Sequence, residues 1–180
     1  SMPCAYQYVL KTKADTNVSG AEKYALSSLE YRRSNGLNDE ISVYGLKDNS
    51  IYFNIDFDNI ENGVYISDSM SQKYNFKVGD KLVLNKELED DEYSFTVVGI
   101  HTYPSSLAIF MPLKDYCETF NKADDYYSGY LCNEKLTDID EKNIALTITQ
   151  DDMTIVADQL SDSMGRMFYL LIGFSVLIYL

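Results

Sequence analysis

The sequence predicts an α+β domain, a mixed sheet with interleaved helices and a β-hairpin, followed by a long C-terminal helix. Three observations predict it. Stretches of alternating apolar and polar residues outnumber stretches of helical spacing and are interleaved with them, a pattern that argues against a bundle or a sandwich. The 16 Tyr and 8 Phe suit half-buried strands, where a ring packs and a hydroxyl meets water. At 180 residues and 46% apolar, the chain can bury one ordinary core over residues 3–150, with length enough for a second lobe, and it is too hydrophobic for a disordered acidic tail.

The elements follow in order. YQYVLKT, from Tyr6 to Thr12, alternates as a strand does. Ser19 then offers a helix N-cap, Ala21, Tyr24, Ala25 and Leu29 fall at helical spacing, and Asn35-Gly36 supplies a stop, so a helix is expected here. Ile41 to Leu46 reads as a strand, and Ile51 to Asp56 as another. After the Asn62-Gly63 turn comes the strand VYIS, and Asp68 to Tyr74 resembles a short helix. Lys81 to Asn85 and Tyr93 to Ile100 flank an acidic turn and form a hairpin. Leu107 to Met111 is a compact apolar strand, and Pro112 suits the first turn of a helix from Leu113 to about Asn121. Tyr126 to Cys132 and Ile144 to Thr149 complete the strands.

The C-terminal stretch differs in kind. Met153, Val156, Leu160, Met164 and Met167 recur at helical steps while Asp151, Asp152, Asp158 and Asp162 lie off that stripe. Beyond Met167 the apolar character goes all the way round, and a helix over residues 151–180 would be about 45 Å long. The uncharged run is shorter than the roughly 20 residues that cross a bilayer, yet it reaches Leu180 without a Gly, Asn, Pro or basic stop. The expectation is a stalk helix that enters a membrane segment, with Phe168, Leu170, Leu171, Ile172, Phe174, Val176, Leu177, Ile178 and Leu180 among lipid tails and a natural continuation past Leu180. The isolated chain should then self-associate through this exposed end. Ser1-Met2 reads as an addition, with the natural start upstream.

Composition removes several functions. A net charge of −13 leaves no phosphate-tracking surface, so nucleic acid is not an expected partner. Cys4, Cys117 and Cys132 lack zinc spacing; in an oxidising compartment Cys117 and Cys132 could pair, adding about 3 kcal/mol, and otherwise all three are buried thiols. His101 is the single histidine; Ser105 and Ser106 lie nearby, but no GxSxG elbow surrounds any serine, so His101 reads as a strand-end residue. Neither GxxxxGK[ST] nor GxGxxG occurs, and no cofactor, metal or catalytic residue is expected. Asp56, Asp58 and Glu61 resemble a calcium loop but lack its fifth-position Asp/Asn and sixth-position Gly, which leaves a solvated turn. ELEDDE, from Glu87 to Glu92, reads as a hairpin tip kept wet, with attraction of cationic peptides outside the cell as the lesser alternative.

Two segments carry a family resemblance. GVYISDSMSQKYNFKVGDKLVL followed by YSFTVVGIHTYP resembles the extracytoplasmic domains of FtsX/MacB-type ABC transporter permeases, with matches at Val64, Ile66, Ser67, Met70, Val78, Gly79, Asp80, Leu82, Leu84, Val97, Gly99 and Ile100. Ser67, Gly79, Asp80 and Gly99 are the structural motif: Gly79-Asp80 would permit the tight turn into the hairpin, and Gly99 a bend or bulge where the hairpin leaves the sheet. The tail DQLSDSMGRMFYLLIGFSVLIYL is similar to the stalk and membrane helix that follow such domains. Ser71 stands where the family often has Ala, and residues 113–150 match nothing in it. The resemblance implies a non-catalytic binding or coupling domain outside the plasma membrane, partnered by a separate cytoplasmic ATPase subunit, by lipid at the C-terminal helix, and outside the cell by a peptide or accessory protein. A membrane-anchored sensor domain and a soluble domain with a buried terminal helix are the alternatives.

Overall fold

The computed structural model describes residues 2–58, 61–104 and 106–150, and the backbone of 153–155. One sheet of ten strands runs through them in the order β10-β9-β1-β8-β2-β3-β7-β4-β6-β5. The strands are β1 Tyr6–Leu10, β2 Glu22–Arg32, β3 Asn38–Leu46, β4 Gly63–Ser67, β5 Lys81–Asn85, β6 Glu92–His101, β7 Ala108–Pro112, β8 Gly129–Cys132, β9 Ile144–Thr149 and β10 Met153–Ile155. Two helices interrupt them, α1 Asp68–Tyr74 and α2 Leu113–Thr119. The sheet is mixed, with β3–β7 and β4–β6 parallel and the other pairs antiparallel.

An additional pairing, Glu30 opposite Asn85, brings β5 back to β2 and closes six strands into a barrel. Its interior takes two side chains from each of the six: Ala25 and Leu29, Ile41 and Val43, Ile109 and Met111, Val64 and Ile66, Phe95 and Val97, Leu82 and Leu84. Met70 of α1 and Tyr116 of α2 join that core. The pairing covers the β5 edge at Asn85, its last residue. The strands β10, β9, β1 and β8 form an open wing on β2. One face of the wing shares a core with the outer face of the barrel, through Val9, Leu131, Leu146, Tyr24, Tyr44, Phe53 and Phe110. The other face is covered by Tyr8, Tyr127, Tyr130, Cys132, Leu136 and Ile139.

Three sequence expectations change here. The segment expected as a helix from Ser19 is the eleven-residue strand β2. Tyr24 and Leu26 face one core while Ala25 and Leu29 face the other, so apolar residues occur on both faces and mask the period of two. Asn35-Gly36 is the turn of a hairpin, with Gly36 at φ +85, and not a helix stop. Ile51 to Asp56 forms no ladder because side chains take its N–H groups. Glu22 accepts from Ile51 N at 3.0 Å, and Ser50 Oγ accepts from Tyr52 N at 3.2 Å and Phe53 N at 3.1 Å. The helix expected from Asp151 does not hold at Met153–Ile155, which run antiparallel to β9. Residues 156–180, the expected membrane helix among them, lie outside the described residues. No helix among the described residues is long and apolar enough to cross a membrane.

The remaining elements fall where the sequence puts them, the strand expected from Tyr126 being shorter and starting at Gly129. A Cβ at Gly129 would come within 1.8 Å of the Tyr8 carbonyl oxygen, so close pairing of β1 and β8 requires glycine there. Cys4, Cys117 and Cys132 are free and buried, with no Cys117–Cys132 bridge. Burial raises all three thiols, Cys132 to about 11, which keeps them protonated and unreactive near neutrality.

Candidate functional site

The motif residues expected from the sequence cluster where β4, α1 and the β5–β6 hairpin meet. Ser67, fully buried at the end of β4, caps α1. Its hydroxyl accepts from Met70 N at 3.3 Å and from Ala108 N of β7 at 3.1 Å, so one side chain ties three elements. Gly79 sits at φ +97, a conformation open to glycine, and its N–H donates to Val97 O at 2.8 Å. Asp80 Oδ2 accepts from Lys77 N at 2.8 Å and closes the turn that the sequence places here. The register of β4 against β6 shifts so that Val64 faces Val97 but Tyr65 faces Gly99. Gly99 lies under the Tyr65 ring, where a Cβ would meet ring atoms at 2.4 Å. These residues position the barrel; none presents reactive chemistry.

His101 ends β6, as expected. Its ring packs against Phe53 and Phe110 at centroid distances of 5.8 and 5.3 Å, and burial lowers its basicity, with Asp68 opposing. Asp68 already accepts from Tyr103 N at 2.8 Å, and Ser106 uses its carbonyl to accept from Ser69. Ser105 lies outside the described residues. Asp56, Asp58 and Glu61 are exposed side chains.

Sequence reasoning missed three constellations. A groove of about 270 Å³ opens between α2 and the start of β4, with Glu61, Asp115 and Glu118 around it over the buried Val64, Phe95 and Met111. No basic residue lines it among the described residues, and burial with the adjacent Glu118 raises the Asp115 carboxyl above its usual value. Inside the shared core, Tyr44 donates to Gln7 at 3.0 Å, Gln7 donates to Tyr103 at 3.3 Å, and the two tyrosine hydroxyls lie 3.0 Å apart. This closed triangle satisfies a fully buried glutamine. At the barrel seam, Glu30 faces Glu40 across β2 and β3 while also facing Asn85 of β5. Glu40 Oε1 is buried without a hydrogen-bond partner among the described residues, and burial, Glu87 and Glu30, opposed by a hydrogen bond from Ser28, push its carboxyl up to about 7.

No protein-family profile and no curated protein matches the chain. Among solved structures, the extracellular domain of the noncanonic ABC-type transporter YknZ from Gram-positive bacteria matches at TM-score 0.42 and 10% identity, over 73% of this chain and 83% of that one. A domain of a permease-type protein from Porphyromonas gingivalis matches at TM-score 0.41 and 14% identity, over 75% of this chain and 66% of that one. Both are distant likenesses.

Proposed function

We propose that this chain is the extracytoplasmic domain of an ABC transporter permease subunit, a non-catalytic binding and coupling module that follows ATP-driven movement of a separate cytoplasmic ATPase subunit. One observation carries the reading beyond the sequence resemblance. The first and the last full strands of the domain are neighbours, with Tyr6 opposite Thr149 on the open wing. Both connections therefore join the fold at one edge of the sheet, and the closed barrel is held away from them, as suits a module attached by its two ends to a membrane. Residues 156–180 are assigned the relay and the membrane helix; they continue from β10, whose ladder with β9 has Met153 opposite Ile148 and Ile155 opposite Leu146.

The test uses the complete gene product in its native membrane. Asp90→Cys, at an exposed hairpin tip, should react in intact cells with a membrane-impermeant maleimide, and the gene should encode several further membrane spans. Labelling only after lysis refutes the placement. One or two spans followed by a soluble module would replace the permease by the sensor class.

A further inference from the structure

At the end of the barrel remote from the pairing of β8 with β2, two hairpin tips meet. One joins β2 to β3 through Asn35-Gly36, and the other joins β5 to β6 through residues 86–91. Arg32 fastens them together: Nε lies 2.8 Å from Glu30 Oε1, Nη2 donates to the Glu89 carbonyl, and Nη1 lies 3.9 Å from Asp90. Each tip carries an exposed leucine, Leu37 at 57% and Leu88 at 77%, the latter the most exposed large hydrophobic side chain among the described residues.

Leu88 is set apart by its backbone as well. Five non-glycine residues among those described have positive φ; Asn49, Asn62, Asn75 and Asn121 are the residue type that tolerates it, and the fifth is Leu88 at φ +59. Solubility and backbone preference both favour Asn or Gly at that tip, and the sequence has Leu. A strained, water-exposed apolar side chain on one tip, fastened by an arginine to a second tip that carries another, makes a pre-ordered contact surface. Glu87, Glu89, Asp90, Asp91 and Glu92 flank Leu88 along the chain.

We propose that the paired tips dock a protein partner whose surface offers an apolar socket rimmed by Lys or Arg. The acidic rim argues against anionic lipid, and a net charge of −13 argues against a second copy of this chain. This names the partner class for the binding half of the permease reading and rests on that reading only so far; the surface is tested in solution and the placement in cells, so either can fail alone.

The full chain is titrated with a fluorescent amphipathic helical peptide of leucine and lysine, at low and high salt, and with the same peptide carrying glutamate for lysine. The lysine peptide should bind and the glutamate peptide should not. The double variant Leu37→Ser, Leu88→Asn should weaken binding roughly ten-fold with no fall in Tm. Ile51→Ser, which removes an apolar side chain exposed elsewhere, at 71%, should change nothing. If the double variant binds as tightly as the parent, or Ile51→Ser loses as much, the attraction is that of any acidic protein for a basic peptide and the docking surface is refuted. Leucine-dependent sedimentation with phosphatidylcholine or phosphatidylglycerol vesicles would overturn it in favour of lipid.

Discussion

Glu40→Gln should stabilise this protein at alkaline pH and leave it unchanged in acid. Glu40 faces Glu30 across the β2–β3 pair and has Glu87 of the adjoining tip nearby; burial is the largest cause of its raised pKa, and the Ser28 hydroxyl opposes it. Below pH 4.5 both the folded and the unfolded chain hold this proton, so the group costs nothing. Between 4.5 and about 7 the folded chain keeps a proton that the unfolded chain releases, so stability falls as pH rises, and the loss is complete above about 7. At full strength such a shift corresponds to ~3 kcal/mol; because the side chain keeps some solvent contact, about 1–2 kcal/mol is the expected penalty. Glutamine keeps the shape and a neutral acceptor, so the variant should be more stable than the parent by that amount at pH 8 and equal to it at pH 4. The assay is urea unfolding at several pH values, followed by tyrosine fluorescence, since the chain has 16 Tyr and no Trp. Parallel pH profiles for parent and variant, or a variant less stable at pH 8, would refute the seam electrostatics.

Four further outcomes are expected, three from the structure and the last from the sequence. Gly129→Ala should abolish folding or cost more than about 3 kcal/mol, because the added methyl meets the Tyr8 carbonyl at 1.8 Å and neither strand can retreat; soluble yield and circular dichroism report it. Ser67→Ala should cost about 2 kcal/mol in urea unfolding, since the buried N–H groups of Met70 and Ala108 both lose their acceptor. Leu88→Asn alone should raise stability by roughly 0.5–1 kcal/mol by relieving the left-handed backbone, measured as a higher urea midpoint. Deleting Phe168 to Leu180 should leave the far-ultraviolet spectrum intact and reduce self-association in analytical ultracentrifugation; an unfolded product would favour the buried-helix alternative.

The parts of the fold legible in the sequence are those with local signals. Gly79-Asp80 marks a turn whose glycine sits at φ +97, and Pro112 marks the junction of β7 and α2. Ser67 caps α1 directly through its hydroxyl. What failed was non-local. β2 is buried on both faces, so its residues fit a helical template by accident, and the hairpin turn at Asn35-Gly36 is the cue that arbitrates. With that turn recognised, the strand register places Glu30 opposite Glu40, and the like-charged seam becomes readable. Barrel closure rests on a single pair, Glu30 with Asn85, for which no neighbouring residue carries a signal. The ELEDDE stretch announced a wet tip, but the apolar Leu88 within it acquires meaning only when Arg32 joins that tip to the one that carries Leu37.

The architecture also bears on how displacement would travel through the domain. β2 belongs to both halves: Glu22 to Tyr24 pair with β8 of the wing, and Ala25 and Leu29 point into the barrel. Tyr44 and Phe110 on the barrel's outer face share one close-packed core with Val9 and Leu131 of the wing. A close-packed core of this kind transmits strain with little compression, so the two halves should turn as one body instead of hinging about β2. The three-residue β10 is the weaker joint, since among the described residues it is an edge strand held by one neighbour. Under the proposed reading, a pull on residues 156–180 would therefore open the β10–β9 ladder before it bent the barrel. A push along the same segment would carry the acidic leucine tips through space at the far end of a rigid lever.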